Sequence, residues 1–170
     1  MPAPGEHKTV QARILAYAEE IGWTYVPRAE TEARRGFSPH PNPLPTSGAR
    51  ECAERARTAL LYFGDLLHAQ VRAFNPKYKE AEGALVGEFQ RLNADIAGNR
   101  DFLTYLRNQG KFFCAEESRE LDLTLIDYGD LTRPREQWRN VFEVTDECYT
   151  HNGKYGTRED VVFLINGIPV

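Results

Sequence analysis

The stretch 158–170, REDVVFLINGIPV, decides the fold of this chain. Its apolar run, 161–165, predicts a strand that lies centrally in a sheet and is covered on both faces. The Asn166-Gly167 pair that follows is the strongest two-residue signal for a hairpin, because both central residues of a type I′ turn need a positive φ. We therefore expect a hairpin in which Ile165 pairs with Ile168.

Asp160 stands directly before this apolar run. Counted outward from the turn, it faces a residue about three positions beyond Val170. Because the return strand stops with an apolar edge left open, we expect the chain to be a fragment of a longer protein. The Asp160 carboxylate then has two interpretations. It caps the strand or pairs with Arg158, or it is half of a metal site whose other half lies on the return strand.

Residues that alternate with a period of two predict further strands upstream. Phe142, Val144 and Cys148 point one way and the polar residues between them point the other, which predicts a strand with one solvated face. The stretch 121–126 predicts another strand, and 23–26 predicts a short one.

Apolar residues at steps of three and four predict helices over about 7–21, 60–74 and 81–96. A shorter helix is expected to begin at Asn99, a good N-cap residue. Helices followed by strands indicate an α/β (α+β) fold, with a central mixed sheet flanked by helices. The proline-rich stretch 37–48 fits no regular element except polyproline II. It is interpreted as an exposed insert, with a proline-rich docking ligand as the alternative.

The composition limits the function classes. The 170 residues suffice for one domain, and the formal net charge of -4 is unlike that of small basic nucleic-acid binders, although a nuclease site is itself rich in carboxylates. No apolar run approaches the roughly 20 residues of a membrane-spanning helix, and the N-terminus lacks a signal-peptide pattern. The three cysteines are widely spaced and are expected to be reduced thiols, so a cytoplasmic protein without a membrane partner is predicted.

Three stretches carry a resemblance to a known family. They are NVFEVTDECYTHNGKYGTREDVVFLINGIPV (140–170), GNRDFLTYLRNQGKFFCAEESRELDLTLIDY (98–128) and VQARILAYAEEIGWTYV (10–26). Over nearly all of its length except the proline-rich insert, the chain resembles the N-terminal nuclease region of the restriction (motor/nuclease) subunit of type I restriction enzymes. The resemblance implies a PD-(D/E)xK nuclease core. Residues 1–170 would be the N-terminal part of one endonuclease domain, truncated within its catalytic hairpin.

The resemblance implies a catalytic role for Asp160. This residue matches the Asp that opens a strand in that family, whose Glu-x-Lys would fall just beyond Val170, where the hairpin count also places a partner. Glu159 stands where a proline often precedes the catalytic Asp in the wider nuclease class. The implied cofactor is Mg²⁺, with Asp160 as one ligand and its partner ligand missing beyond Val170. One carboxylate holds Mg²⁺ weakly, so this chain by itself is expected to be inactive.

Further site residues are candidates in the same resemblance. A helix carboxylate often completes such a site, which points to Glu19 or Glu20 at the end of the first helix, with a solvated helix face as the alternative. Asp146 is another supporting candidate, and its alternative is an ion-pair partner at the end of the sheet. Lys154 and Arg158 flank the third strand and would contact DNA phosphates.

The resemblance also implies partners. These are DNA, which the full-length complex cleaves as a double strand, and the modification and specificity subunits of a type I complex. No Gly-x-x-x-x-Gly-Lys-Ser/Thr loop is present, so ATP would serve only a motor region outside this chain. The alternative function is a non-catalytic protein-interaction module built on the helical pair 57–97, or the product of a decayed restriction gene. An encoded Glu-x-Lys after residue 170 would discriminate between them.

Overall fold

The computed structural model describes residues 6–35, 61–81, 83–93, 95–151 and 156–170. The helices are α1 (Glu6–Glu20), α2 (Arg28–Arg34), α3 (Gly64–Phe74), α4 (Ala84–Gln90) and α5 (Ile96–Leu106). The strands are β1 (Thr24–Tyr25), β2 (Lys111–Cys114), β3 (Arg119–Asp122), β4 (Phe142–His151), β5 (Gly156–Ile165) and β6 (Ile168–Pro169), with 3₁₀ turns at Tyr128–Thr132 and Arg135–Gln137. None of these helices is long and apolar enough to cross a membrane. The proline-rich stretch 37–48 lies outside the described residues.

A mixed sheet with the strand order β1-β4-β5-β6 organises the described part of the chain. β1 runs parallel to β4, whereas β5 is antiparallel to both of its neighbours, β4 and β6. β2 and β3 form a separate antiparallel pair. The helices and this sheet confirm the α+β class, and β5 is an interior strand, as its apolar run predicts.

The hairpin between β5 and β6 has the predicted turn. Asn166 and Gly167 have φ angles of 54° and 78°, and Ile165 pairs with Ile168. A Cβ at position 167 would lie 2.6 Å from the Phe63 carbonyl oxygen, so the close approach requires glycine as much as the positive φ does. The Phe63 amide donates a hydrogen bond to the Gly167 carbonyl oxygen at 2.9 Å, which ties the start of α3 to the turn.

The main hydrophobic core lies between α3, α4, α5 and the β2–β3 pair. Phe89 of α4 is in ring contact with Tyr62, Phe102, Tyr105 and Phe112. Such edge-on and tilted ring pairs stabilise the fold beyond the area that they bury. The other buried apolar members are Leu67, Val71, Tyr78, Leu85, Val86, Leu123, Leu125, Ile126 and Ile168. Because β6 contributes to this cluster, the hairpin is packed onto the helical half of the molecule.

The segment 121–126 is only partly in a strand, against the prediction, because β3 ends within it. The next backbone groups bind asparagine side chains instead of a neighbouring strand. The Asn75 side chain accepts a hydrogen bond from the Thr124 amide at 2.9 Å and donates one to the Thr124 carbonyl at 2.8 Å. The Asn108 side chain accepts one from the Leu125 amide at 2.8 Å. The alternation of apolar residues therefore identified which side chains are buried, but it did not identify the hydrogen-bond partners of their backbone groups.

The polar face of β4 is covered, so the prediction of a solvated face is wrong. Glu143 and Thr145 are buried, and α2 packs against β4 on this face. Arg34 donates a hydrogen bond to Glu143 at 3.0 Å, and the hydroxyl groups of Thr31 and Thr145 share one at 2.8 Å. Because α2 uses polar side chains for this packing, hydrophobic periodicity gave no sign of the helix.

Helix α1 forms where predicted, but its apolar stripe does not face the core. Tyr17, for example, is 62% exposed. The large exposed members of the stripe are Val10, Ile14, Tyr17 and Ile21. The side chains of α1 that are buried, among those described, are Gln11 and Ala18. The helix therefore meets the sheet through a different face from the one that the pattern predicts.

The predicted helix 81–96 is shorter than expected, and the next predicted helix begins earlier, at Ile96. α4 ends at Gln90, and Asp95 caps α5 by accepting a hydrogen bond from the Gly98 amide at 2.9 Å. Asn99, the predicted N-cap, therefore lies inside α5. Asp and Asn have similar preferences for the N-cap position, so residue type alone did not choose between them.

Candidate active site

Asp160 lies in the middle of β5 and is exposed. The side-chain amide of Gln11 in α1 donates a hydrogen bond to the Asp160 carbonyl oxygen at 3.4 Å. Gln11 is 8% exposed, so a buried helix side chain contacts the backbone of the strand at this position. The strand is thus held against α1 at the residue whose carboxylate is the candidate catalytic group.

The hairpin end of β5 is fixed by Asn166, which is fully buried. Its side-chain oxygen accepts a hydrogen bond from the Val141 amide at 2.8 Å. Its side-chain nitrogen donates to the Leu125 carbonyl and to the Asn140 side-chain oxygen, both at 2.8 Å. One side chain therefore joins the turn, the start of β4 and the segment after β3. The register of β5, and with it the position of Asp160, depends on these contacts.

Asp130 supports this arrangement from a buried position, at 2% exposure. Its carboxylate accepts hydrogen bonds from the Arg139 amide at 2.8 Å and from the backbone and side-chain nitrogens of Asn140, both at 2.7 Å. The Arg133 guanidinium donates to the other oxygen at 2.9 Å. Asn140 in turn contacts Asn166, so the charge of Asp130 is connected to the hairpin through one intermediate side chain.

Asp146 lies on β4 opposite Val161, so it is not the direct cross-strand partner of Asp160. Its carboxylate accepts a hydrogen bond from the Tyr25 hydroxyl at 2.8 Å. Burial raises the pKa of Tyr25 above its ordinary value, and the hydrogen bond and charge of Asp146 and the charge of Glu19 raise it further. The structure therefore brings Asp146, Tyr25 and Glu19 into one neighbourhood next to β1.

The described residues do not by themselves complete a cation site. Among them, no group of three or more His, Cys, Asp or Glu side chains is placed to hold a metal ion. Asp160 offers an exposed carboxylate, the ligand type that Mg²⁺ prefers. Glu20 is exposed at the end of α1. The residues thus fit Mg²⁺ in their chemistry, with Asp160 as a single ligand on β5.

Two arginines near the sheet are committed to ion pairs. Arg133 and Arg139 bind the Asp127 carboxylate at 2.7 and 3.3 Å, and Arg133 also binds Asp130 at 2.9 Å. The hydrogen bond from Arg133 lowers the pKa of Asp127 below its ordinary value, as does the hydrogen bond from the Gly129 amide. These arginines have a structural role in the described residues.

Arg158 is one of the two basic residues predicted to contact DNA phosphates. It is exposed on β5, two residues before Asp160, and residues two apart on a strand share a face. Lys154, the other basic residue predicted to contact phosphates, lies outside the described residues.

A comparison with known protein families gives a match that includes all of the residues described above. A family model, the type I restriction enzyme R protein N terminus (HSDR_N), matches residues 4–170. The chain belongs to this family. The match confirms the resemblance drawn from the sequence and includes α1, the β5–β6 hairpin and Asp160. The comparisons with curated proteins and with solved structures gave no match.

Sequence reasoning missed several residues of this R protein N terminus. Gln11 had one signal, because it lies seven positions before the buried Ala18 and so shares its face of α1. Tyr25 had none beyond its place in a short strand. Asp130 and Asn140 lie in or beside irregular segments, where periodicity carries no information about which polar residue is buried.

Proposed function

We propose that this chain supplies Asp160 to a Mg²⁺-dependent nuclease site that cleaves double-stranded DNA within a type I restriction complex. The observation that carries the proposal is the β5–β6 hairpin, with its positive φ angles and its Ile165–Ile168 pair. In this register, Asp160 stands opposite a position about three residues beyond Val170. A carboxylate there would be the first residue of the Glu-x-Lys of a PD-(D/E)xK nuclease, within about one position.

The chemistry explains why a carboxylate is needed on each of two neighbouring strands. Phosphodiester hydrolysis develops charge on a non-bridging oxygen and needs an activated water, and bound Mg²⁺ supplies both effects. Asp160 would hold the ion from β5, and a return-strand carboxylate would hold it from the adjacent strand. Gln11 would keep the backbone at Asp160 in place.

The remaining residues of the proposed site have supporting roles. Arg158 would contact the DNA phosphates beside Asp160, since the two side chains share a face of β5. Lys154 would add a second phosphate contact. Glu19, Glu20 and Asp146 are proposed as supporting carboxylates.

The family points to a multi-subunit complex. We propose that the chain works in the cytoplasm with modification and specificity subunits and with DNA. A phosphate loop does not occur among its 170 residues, so ATP would be used by a motor region outside them.

A plasmid-cleavage assay tests the proposal in the assembled complex. The coding DNA after codon 170 is first read, and we expect it to continue into a Glu-x-Lys. The subunit that it encodes, assembled with its partners, should cleave plasmid DNA with Mg²⁺ and ATP, and Asp160→Ala should reduce cleavage to background. Glu159→Gln is the matched control, because it neutralises the neighbouring carboxylate and should leave cleavage intact.

The 170-residue chain by itself gives a second readout. With one carboxylate at Asp160, it should leave supercoiled plasmid intact in the presence of Mg²⁺. Nicking by this chain that is lost in Asp160→Ala would contradict the expected inactivity. Unchanged cleavage by the complex carrying Asp160→Ala would contradict the catalytic role itself.

The alternative of a non-catalytic interaction module built on the helical pair 57–97 receives less support from the packing. Within the described part of this pair, the large apolar side chains of α3 and α4 point into the core, as shown by Leu67, Val71, Leu85 and Phe89. A helix pair that uses these side chains for its own core has few left for a partner.

A further inference from the structure

Helix α1 carries an apolar stripe that the sheet does not cover. The α1 stripe consists of Val10, Ile14, Tyr17 and Ile21, whose exposure ranges from 39% to 62%. The Ile21 amide donates a hydrogen bond to the Tyr17 carbonyl oxygen at 3.1 Å, so the helical spacing continues to Ile21. Single exposed apolar side chains are ordinary on a protein surface, but a contiguous row of them marks a surface for association.

The α1 stripe can face a partner while the helix stays on the sheet. The buried side chains of α1, among those described, are Gln11 and Ala18, and Gln11 is hydrogen-bonded to the Asp160 carbonyl oxygen. At 3.6 residues per turn, the centre of the stripe lies about 90° around the helix axis from this buried face. An occupant can therefore cover the stripe without displacing α1 from β5.

The stripe has the spacing of a helix that pairs with another helix. Steps of four, three and four residues separate its members, as in the seam of a heptad repeat. Its d positions are Val10 and Tyr17, and its a positions are Ile14 and Ile21. Arg13 and Glu20 then fall at the g positions beside the seam, where charged side chains determine the choice and direction of the partner helix. Both are exposed, and neither forms an ion pair within the part of the chain that the structure describes.

These two charges match each other across an antiparallel pair of α1 helices. When Ile14 of one copy lies beside Tyr17 of the other, Arg13 and Glu20 of the second copy are offset by two residues, about 3 Å along the axis. The symmetry of the pair repeats this contact on the opposite side of the seam. In a parallel pair, Arg13 would instead face the uncharged Ala18 of the second copy. The charges therefore favour the antiparallel arrangement.

We propose that the α1 stripe binds the α1 stripe of a second copy of this chain, in an antiparallel helix pair flanked by two Arg13–Glu20 ion pairs. The charge complementarity identifies the occupant, because the surface that matches α1 in both its apolar row and its charges is α1 itself. One positive and one negative side chain beside an apolar row give no net attraction for nucleic acid. Four apolar side chains per copy make a small interface, so the dissociation constant should be ~0.1 mM.

Sedimentation velocity of the 170-residue chain, between about 10 µM and 1 mM, tests the proposal. We expect a monomer–dimer equilibrium that weakens as the salt concentration is raised. Arg13→Glu and Glu20→Arg each place like charges opposite one another at both ends of the seam, and each should weaken dimerisation by about tenfold. Arg100→Glu makes the same change as Arg13→Glu at an exposed position of α5, and it should leave dimerisation unchanged.

A mixture of the two charge variants gives the sharpest readout. When Arg13→Glu chains are mixed with Glu20→Arg chains, each reversed charge meets an opposite charge in the heterodimer, so association should return close to that of the wild-type chain. A mixture that associates no better than either variant alone would overturn the proposed pairing, as would a wild-type chain that stays monomeric over the whole range.

Tyr17→Gln tests whether the stripe is covered by a second copy or by another part of the same chain. We expect this variant to lose dimerisation and to keep the melting temperature of the wild-type chain at micromolar concentration, where both are monomers. A lower melting temperature without any dimer in the wild-type chain would show that the stripe is covered within one chain, which would overturn the proposal.

The outcome is separable from that of the proposed nuclease function. All of these experiments measure association or melting and none measures cleavage, so their failure would leave the role of Asp160 untouched. Of the proposed supporting carboxylates, the dimer would engage Glu20 and would leave Glu19 and Asp146 available.

Discussion

The two halves of β5 are built in opposite ways. At the hairpin end, Asn166 is completely buried, and each polar group of its side chain binds a backbone or side-chain partner. In the other half, Arg158 and Asp160 are exposed, and the Gln11 side chain of α1 donates a hydrogen bond to the Asp160 carbonyl oxygen. One strand thus joins a buried side chain that holds the turn, Asn166, to an exposed carboxylate, Asp160.

The difference teaches how a fold can fix the position of an exposed side chain. A strand that is held in register at one end has fixed side-chain positions along its length, because a slip of one residue would move every side chain to the other face. The polar network around Asn166 therefore determines where Asp160 stands, although the two residues do not touch. Changes at the buried end should affect stability, and changes at the exposed end should affect chemistry.

The largest expected effect at the buried end comes from Asp130→Ala. Removing this carboxylate leaves the amides of Arg139 and Asn140, and the Asn140 side chain, without their acceptor in a buried position. We expect the free energy of unfolding to fall by ~3 kcal/mol or more, measured by urea denaturation. Asp122→Ala, at the exposed end of β3, is the control and should change stability by less than about 0.5 kcal/mol. A loss at Asp130 as small as in this control would show that the network does not anchor the hairpin.

A smaller effect is expected from Gly167→Ala. At φ +78° an alanine is strained, and its Cβ would lie 2.6 Å from the Phe63 carbonyl oxygen. Gly83→Ala is the matched control, since Gly83 also has a positive φ, of +90°, but nothing within 4 Å of an added Cβ. Gly83→Ala should cost about 1 kcal/mol from the backbone alone, and Gly167→Ala roughly twice that or more. Equal losses in the two variants would mean that α3 moves freely away from the turn.

The sequence predicted the hairpin end of the molecule well and the polar contacts poorly. The Asn166-Gly167 turn and the Ile165 pairing follow from local rules, because two residues alone determine the turn type. The face of α1 was misjudged because an apolar stripe shows that a face can be buried, not that it is. Whether Val10 or Gln11 meets the sheet depends on the placement of strands that lie far away in the sequence.

The candidate site was predictable only in part. Asp160 could be named as a candidate because it directly precedes an apolar run and matches a family pattern. The contact between Tyr25 and Asp146 joins two residues that are 121 positions apart. It is a single hydrogen bond, and its donor lies on a strand of two residues. Such contacts come from the parallel pairing of β1 with β4, which leaves no periodic signal in either segment.

The smallest effect, expected from Tyr25→Phe, lies toward the exposed end of β5. At neutral pH, the loss of the hydroxyl removes one partly buried hydrogen bond to Asp146 and should lower the free energy of unfolding by about 0.5–1 kcal/mol. The pKa of Tyr25 is raised in the folded protein, so the folded state binds the phenolic proton more tightly than the unfolded state does. The stability from this proton is complete below the ordinary tyrosine pKa and declines as the pH rises through the folded value.

Urea denaturation of both proteins between neutral pH and pH above 10 therefore checks the contact in two ways. The wild-type chain should lose stability with rising pH more steeply than Tyr25→Phe. Tyr17→Phe, at an exposed tyrosine of α1, is the control and should follow the wild-type slope. If Tyr25→Phe also followed the wild-type slope, neither burial nor the hydrogen bond to Asp146 would raise the pKa of Tyr25 in solution. Asp146 would then lack the partner that fixes its carboxylate beside β5. Its proposed role as a supporting carboxylate would be weakened more than the proposed role of Asp160.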